Sequence, residues 1–264
     1  IGCTPILSVD ASTPSVYHFS DTDKNISLLD VSETFGTYDG SFVLYDNNLD
    51  SWKIYDLEEA TKRIPPESTY KIYDALLGLE SGIITPEHSS MTWNGDAFPF
   101  PSWEADQDLN SAMQNSVNWY FQAIDSQLGI NRVQEFLNKI EYGNQTTSSN
   151  LDLYWSDFSL KISPLEQVTL LKKFNTNEFH LNFQNVFSVK NAIKIASTPN
   201  GNFYGKTGTG RVNGQDINGW FIGYVETSDN SYYFATNIQS DSNATGKKAF
   251  EITSDILKKL HIWN

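Results

Sequence analysis

Phe203-Tyr-Gly-Lys-Thr-Gly-Thr-Gly-Arg211 begins the strongest β-strand signal in the sequence. Two further runs rich in aromatic and β-branched residues follow it, Gly-Trp-Phe-Ile-Gly-Tyr-Val (219–225) and Tyr-Tyr-Phe-Ala-Thr-Asn-Ile (232–238). Asn-Gly and Asp-Asn pairs, which favour turns, separate the runs. The pattern predicts three consecutive β-strands joined by short turns.

A second β-strand signal lies nearer the start of the chain. The runs Ser-Phe-Val-Leu-Tyr (41–45) and Ser-Trp-Lys-Ile-Tyr (51–55) alternate apolar and polar residues around the cluster Asp-Asn-Asn-Leu-Asp. This pattern is typical of a β-hairpin. Strands are therefore expected from both ends of the chain, and one central antiparallel sheet accommodates them.

Helical spacing of apolar residues dominates the region between these strands. It is present in 68–80, after a proline-marked start, and again within 106–145 and 157–198, while 247–260 predicts a final helix. The order of elements predicts an α+β (mixed α/β) fold, in which helices flank the sheet and a helical insert covers about 80–200.

Length and composition limit the class of protein. The 264 residues fit one large domain or two interleaved ones, and we expect an arm or tether over 1–36 and the folded domain over 37–264. The hydrophobic content of 39% is too high for a disordered chain. The formal charge of −14 disfavours nucleic acid as a partner, because it repels phosphate backbones.

Cys3 is the single cysteine, which excludes an internal disulfide and a thiolate zinc cluster. The histidines, His18, His88, His180 and His261, show no metal-ligand spacing, so neither a metal nor an organic cofactor is expected. Ile1-Gly2-Cys3 resembles the end of a bacterial lipoprotein signal, although an ordinary cysteine near a cut end is an equally good interpretation.

Ser68-Thr-Tyr-Lys71 places a hydroxyl and an amine one helical turn apart, on one face. A serine hydroxyl is a poor nucleophile until a base removes its proton, and a lysine is such a base only when neutral or chemically modified. Holding a lysine neutral at pH 7 costs about 4–5 kcal/mol, which burial largely supplies. The motif therefore requires a buried Lys71, and by itself it is weak because serine and lysine are common.

Lys206-Thr207-Gly208-Thr209-Gly210 lies in the first strand of the later group. Its glycines allow an extended ligand to lie close to the strand edge, while the ammonium and hydroxyl groups suit an anionic group. The combination of S-x-x-K with a later K-T-G is the signature of serine β-lactamases and penicillin-binding proteins.

Three further sites lie between the two motifs. Ser116-Val117-Asn118, predicted on a helix, offers a second hydroxyl that can relay protons to a leaving nitrogen. Tyr142-Gly-Asn is on its own typical of a turn, and Trp155 on its own is typical of a core residue.

The order and spacing of these motifs, together with Trp155-x-x-x-x-Leu-Lys-Ile-Ser163, resemble the class D β-lactamase family and the penicillin-sensor domains of BlaR/MecR-type signal transducers. The resemblance covers about Gly40 to Leu260. It implies that Ser68 attacks the β-lactam carbonyl, with the backbone N–H groups of Ser68 and Thr209 as the oxyanion hole. It also implies that CO2 carboxylates Lys71 to a carbamate, which acts as general base and is held by the Trp155 indole N–H.

The resemblance further implies roles for the remaining residues. Ser116 shuttles a proton, and the substrate carboxylate binds Lys206, Thr207 and Thr209. The expected substrate-binding set also includes Gly208, Asn118 and Tyr142.

Two departures from the family pattern keep alternatives open. Asn118 stands where the enzymes commonly have Val, and a polar amide beside Lys71 disfavours the carbamate and prolongs the acyl-enzyme. Thr245-Gly-Lys-Lys-Ala249 stands where many members have an Arg that binds the substrate carboxylate.

The leading expectation is a class D β-lactamase that hydrolyses penicillins, with cephalosporins and carbapenems as open cases. The alternatives are a sensor that antibiotic acylates and that then signals, and a transpeptidase acting on cell-wall peptides. The first two readings imply a location outside the cytoplasm, either secreted or anchored to the membrane, for example through a lipidated Cys3.

Overall fold

The computed structural model describes residues 25–264. Within them, a seven-stranded sheet has the order β1-β3-β2-β7-β6-β5-β4. Its strands are β1 (Ile26–Leu28), β2 (Asp39–Asp46), β3 (Ser51–Tyr55), β4 (Lys194–Thr198), β5 (Gly201–Val212), β6 (Gln215–Glu226) and β7 (Ser231–Gln239). Cys3 and the other residues before 25 lie outside the described part of the chain.

The two predicted groups of strands meet in the middle of this sheet. β2 and β3 form the hairpin, and β5, β6 and β7 form the later antiparallel group. β2 then pairs with β7 in antiparallel register along its whole length, from Asp39 opposite Gln239 to Asp46 opposite Tyr232. The sheet thus draws its strands from both ends of the chain, as predicted.

Two segments differ from the expected organisation. Residues 26–35 belong to the fold rather than to an arm: β1 pairs with β3 in parallel, and Phe35 is buried in the core. The sheet is therefore mixed at this edge. Residues 194–198, expected to be helical, form the edge strand β4 because they pair with β5. Both segments are short and acquire their structure from a partner strand, which local periodicity does not report.

Nine α-helices lie within residues 25–264, and most of them belong to the predicted helical insert. They are α1 (Ser32–Phe35), α2 (Leu57–Thr61), α3 (Lys71–Glu80), α4 (Leu109–Gln114), α5 (Asn118–Leu128), α6 (Ile130–Ile140), α7 (Pro164–Asn175), α8 (Phe183–Ala192) and α9 (Gly246–Lys259), with short 3-10 helices at Glu67–Tyr70 and Pro101–Trp103. Capping boxes at Asp108 and Ser163 explain why α4 and α7 begin where they do.

The sheet separates two apolar cores. The larger contains the helices of the insert and residues such as Ile72, Phe121 and Leu171, and the smaller lies between the sheet, α1 and α9 and contains Phe221, Phe234 and Ile256. None of the helices within 25–264 combines the length and the apolar character needed to cross a membrane.

Candidate active site

Ser68 lies in the 3-10 helix Glu67–Tyr70, and Lys71 is the first residue of α3, which continues from it. The backbone N–H of Lys71 donates to the carbonyls of Ser68 and Thr69, so the two elements form one continuous helical segment. The predicted spacing is confirmed: Nζ of Lys71 lies 2.7 Å from Oγ of Ser68. This distance allows direct proton transfer between the hydroxyl and the amine.

Lys71 is 0% exposed. Burial lowers the pKa of its amine well below the ordinary value of 10.5, and the nearby charge of Lys206 lowers that pKa further. The rings of Phe121 and Trp155 each lie 5.7 Å from Nζ and help to exclude water. Burial therefore favours the neutral amine, which is the form in which a lysine accepts a proton.

Asn118 completes the immediate surroundings of Lys71. It is the first residue of α5, and its Oδ1 accepts a hydrogen bond of 2.6 Å from Nζ of Lys71. A neutral amine has two N–H groups and one lone pair. Because Asn118 fixes one N–H, the lone pair remains available to the hydroxyl of Ser68.

Ser116 was expected on a helix, and that expectation is wrong. Ser116 and Val117 form the connection between α4 and α5, with φ of Ser116 at +55° and Val117 extended. The turn ends one helix and starts the next. It brings the hydroxyl of Ser116 to the active site, where its Oγ accepts a hydrogen bond of 3.0 Å from Nζ of Lys206.

Lys206 lies on β5, as the sequence predicts, and is buried. Burial lowers the pKa of its amine to about 7. Its Nζ also donates to the backbone carbonyl of Thr207 at 3.0 Å. Lys206 therefore exchanges a proton readily near neutral pH and has Ser116 as its nearest hydroxyl partner.

The glycine of the K-T-G motif allows β5 to run directly past the nucleophile. A Cβ at Gly208 would lie 3.1 Å from the carbonyl oxygen of Pro66 and 3.2 Å from the backbone nitrogen of Ser68. Beside it, Oγ1 of Thr209 accepts a hydrogen bond of 2.9 Å from the N–H of Gly246, at the start of α9. This hydrogen bond joins the start of α9 to the strand that carries Lys206, Thr207 and Thr209.

Trp155 and Tyr142 lie behind the reactive groups. The carbonyl of Trp155 accepts a hydrogen bond of 3.0 Å from the N–H of Glu67, and its ring stacks on Tyr70. Tyr142 is 0% exposed and packs edge-on against Tyr70 and Tyr73. The expectation that Tyr142 binds substrate is wrong, because its ring is enclosed by other tyrosines in the core.

Sequence reasoning missed two residues at this site. Phe121, on α5, lies next to the amine of Lys71. Glu67, adjacent to the nucleophile, is a buried carboxyl. A charged residue inside Pro65-Pro66-Glu67-Ser68 was the available signal, since charged side chains are rarely buried without a partner.

The assembled groups suit nucleophilic acyl transfer. Ser68 has a base at 2.7 Å, and a second hydroxyl and amine pair, Ser116 and Lys206, lies alongside. Such an arrangement activates a hydroxyl and delivers a proton to a leaving group.

The sequence and fold are shared with a known family. Residues 40–258 match the penicillin binding protein transpeptidase domain family. The chain belongs to this family. Regulatory protein BlaR1 of Bacillus licheniformis is 45% identical over 262 residues, which cover 98% of this chain and 43% of that protein. The methicillin resistance mecR1 protein of Staphylococcus aureus is 40% identical and covers 99% of this chain and 45% of its own.

Relatives of the β-lactamase type are also similar. Probable beta-lactamase YbxI of Bacillus subtilis is 37% identical over 89% of this chain and 86% of its own. Among solved structures, the C-terminal domain of the Bacillus licheniformis BlaR penicillin-receptor has a TM-score of 0.88 at 46% identity, covering 91% of this chain and 98% of that one. Class D beta-lactamase BAT-2 has a TM-score of 0.84 at 37% identity, covering 89% and 97%.

These comparisons confirm both the resemblance and the α+β fold predicted from the sequence. Both branches, the regulatory proteins and the class D β-lactamases, are represented among the relatives. The chain spans less than half the length of the regulatory relatives it matches, 43% in one case and 45% in the other.

Proposed function

We propose that this domain is a β-lactam receptor whose Ser68 is acylated by the antibiotic and stays acylated long enough to act as a signal. The proposal rests on one observation, the continuous chain from Oγ of Ser68 through Nζ of Lys71 to Oδ1 of Asn118, with distances of 2.7 and 2.6 Å. The contact between Lys71 and Ser68 supports acylation, and the hydrogen bond from Lys71 to Asn118 opposes release of the acyl group.

In acylation, the neutral amine of Lys71 takes the proton of Ser68 as Oγ bonds to the β-lactam carbonyl carbon. The ring C–N bond then breaks, and its nitrogen takes a proton that passes through Ser116 from protonated Lys206, so Lys71 keeps the proton taken from Ser68. The backbone N–H groups of Ser68 and Thr209 are proposed to stabilise the oxyanion. The pKa of about 7 for Lys206 suits a group that must both hold and release a proton.

Deacylation needs a base that activates water beside the acyl group. After acylation Lys71 carries a proton, and Oδ1 of Asn118 is placed to hold that ammonium. A carbamate on Lys71 would replace one N–H with carboxylate oxygens next to Oδ1, which repels them. Asn118 therefore favours the plain amine over the carbamate, and the plain amine favours a persistent acyl-enzyme.

The substrate carboxylate is proposed to bind Lys206, Thr207 and Thr209. The start of α9 stands where many members of the family have an arginine that binds the carboxylate. Its Gly246 N–H does not take over that role, because it donates to Oγ1 of Thr209. We therefore propose β-lactams as the ligands. Hydroxyl groups and one lysine on β5 would bind their carboxylate. We further propose a location outside the cytoplasm, with a membrane tether through Cys3 or a preceding segment.

A class D β-lactamase that turns over is the second candidate. The Trp155 ring lies 5.7 Å from Nζ of Lys71, so the indole is close to where a carbamate would form. The similarity to YbxI and to BAT-2 supports this reading as well. In that case carboxylated Lys71 would be the base for both half-reactions, and the reaction would require bicarbonate.

The deciding experiment is intact mass spectrometry of the protein after mixing with benzylpenicillin, followed over time with and without added bicarbonate. We expect a single penicilloyl adduct that persists in both conditions and is absent from Ser68→Ala. Loss of the adduct with continued turnover, faster with bicarbonate, would establish the hydrolase instead. Stoichiometric labelling of Ser68→Ala would remove Ser68 from its role.

A further inference from the structure

Glu67, the residue before the nucleophile, has an unusual position. It is 6% exposed, and its φ of +53° lies in the left-handed region that residues with a Cβ rarely adopt. Such a conformation persists only where the surroundings fix it. The contacts of Glu67 therefore indicate what holds the turn that carries Ser68.

The backbone and the side chain of Glu67 are held by different elements. Its N–H donates to the carbonyl of Trp155 at 3.0 Å, and its Oε1 accepts from Nδ2 of Asn218 at 3.3 Å. The carboxyl lies directly over Gly210 of β5, where an added Cβ would collide with Oε1. One side chain thus contacts both β5 and β6.

β6 also holds the residues that precede Glu67. Nδ2 of Asn218 donates to the carbonyl of Pro65 at 3.1 Å, and Nε1 of Trp220 donates to the same oxygen at 2.8 Å. Asn218 is itself held, because its Oδ1 accepts from Asn237 on β7 at 2.8 Å. The nucleophile turn is therefore attached to the sheet through Pro65 and Glu67.

The charge state of Glu67 follows from its burial. Burial raises the pKa of the carboxyl to about 8, and the hydrogen bond from Asn218 and the charge of Lys71 offset this only in part. At neutral pH the group is mostly protonated, because burial disfavours its charged form.

We propose that Glu67 is a positioning residue: its enclosed side chain clamps the turn bearing Ser68 against β5 and β6, and ionisation loosens the clamp because a buried charge drives the side chain toward water. The clamp sets the N–H of Ser68 beside Gly208, where a Cβ would lie 3.2 Å from that nitrogen. The effect on acylation rests on the proposed function, whereas the clamp itself is a property of the fold.

The surroundings offer a route for release. Two charged side chains are placed beside Glu67 by the observed interactions: Lys71 on α3, and Arg211 on β5, which lines the same cavity as Glu67. Of these, Lys71 acts on the pKa of Glu67, and Arg211 is paired with Asp216 at 2.7 Å. Glu67 also lines a cavity of about 150 Å³ shared with Phe158 and Arg211, into which an ionised carboxylate has room to turn.

The clamp is tested first by thermal unfolding across pH, with no ligand present. The pKa of Glu67 is 4.5 in the unfolded chain and about 8 in the folded chain. Wild-type stability should therefore fall as pH rises between these two values. Glu67→Gln cannot ionise and keeps the acceptor for Asn218. Its melting temperature should therefore exceed the wild-type value by a margin that widens up to about pH 8 and then stays constant.

Glu251→Gln is the matched control, because Glu251 lies on the exposed side of α9 and pairs only with Lys248 among the described contacts. Its curve should run parallel to wild type. Parallel curves for wild type and Glu67→Gln would overturn the proposal. This readout does not depend on acylation, so a protein that no penicillin labels would refute the proposed function and leave the clamp to be decided by melting.

The effect of the clamp on the reaction is measured as the acylation rate at saturating benzylpenicillin. Saturation separates the acylation step from binding of the substrate carboxylate by Lys206. Glu67→Gln should stay within about twofold of wild type at neutral pH and should slow less than wild type above pH 8, where loss of the Lys206 proton alone lowers its rate. Glu67→Ala should be about tenfold slower throughout. An alkaline decline that is identical in wild type and Glu67→Gln would overturn the positioning role.

Discussion

The two faces of the sheet are built differently. On the face covered by α9, the core consists of apolar side chains such as Phe234 and Ile256, and the polar pair there, Thr236 and Thr253, is bonded at 2.6 Å. The face covered by the helical insert buries Lys71, Asp74 and Asp125. Burying ionisable groups opposes folding unless they are neutral or paired, so these residues lower the stability of the insert side.

This difference indicates where stability and chemistry come from. The α9 face stabilises the domain with ordinary apolar packing, while the insert face uses burial to shift the pKa of Lys71 and so to prepare a base. Substitutions on the two faces should therefore have opposite consequences.

Lys71→Ala should remove the base and reduce the acylation rate by about 10²–10⁴-fold, while the domain stays folded. The measurement is the labelling rate with a fluorescent penicillin, together with thermal unfolding. Lys258→Ala, an exposed lysine in the last turn of α9, is the control and should label at the wild-type rate. An unchanged rate in Lys71→Ala would exclude this residue as the base.

Ile256→Ala should have the opposite effect. Ile256 is fully buried in the α9 core, and truncating such a side chain costs about 2–5 kcal/mol in the free energy of unfolding. Because the residue is remote from Ser68, the acylation rate below the unfolding transition should match wild type. Chemical denaturation and penicillin labelling of the same preparation test both statements. A loss of labelling without a loss of stability would contradict the separation of the two faces.

Asn118→Val tests the group that holds Lys71. Valine removes the acceptor at 2.6 Å from Nζ, so the amine is freer to react with CO2, and the lifetime of the acyl-enzyme should shorten about tenfold or more with bicarbonate present. Intact mass over time measures that lifetime. Equal adduct lifetimes in the variant and wild type would show that Asn118 does not control deacylation. Asn115→Val, just before the connection to α5, serves as a control for a polar change nearby.

The sequence predicts those parts of the fold whose signal is local. The hairpin, the later strands and α9 were found because alternation and helical spacing are properties of the segment itself. β1, three residues long, and β4 have no such signal, since each exists through pairing with a neighbouring strand. The arm predicted over 1–36 and the helical insert predicted over about 80–200 therefore each include a strand of the sheet.

The same distinction applies to the site. The motifs around Ser68, Lys71 and Lys206 identify reactive residues because their spacing encodes chemistry, and the structure brings these groups together. The turn at Ser116 and the enclosure of Tyr142 depend on how distant elements pack, and both were predicted incorrectly. Glu67 was missed because its charge beside the nucleophile, the one available signal, does not show that β5 and β6 will cover it.

The smallest expected effect concerns Asp74, one helical turn after Lys71 and away from Ser68. Burial, followed by the neighbouring carboxyl of Asp125, raises the pKa of Asp74 well above its ordinary value. In the unfolded chain Asp74 ionises near 3.8, so between that pH and its higher folded pKa the folded state alone holds the proton. Stability that wild type has in acid is therefore lost progressively as pH rises.

Asp74→Asn keeps the shape of the protonated acid and cannot ionise. Its free energy of unfolding should equal the wild-type value in acid and exceed it near neutral pH. Denaturation at both pH values measures this gap, and Asp216→Asn, on the rim of β6, is the control. A gap that is constant with pH would mean that Asp74 is ionised in the folded protein. The insert face would then hold a buried carboxylate close to Lys71, and the neutrality of that amine would need another explanation.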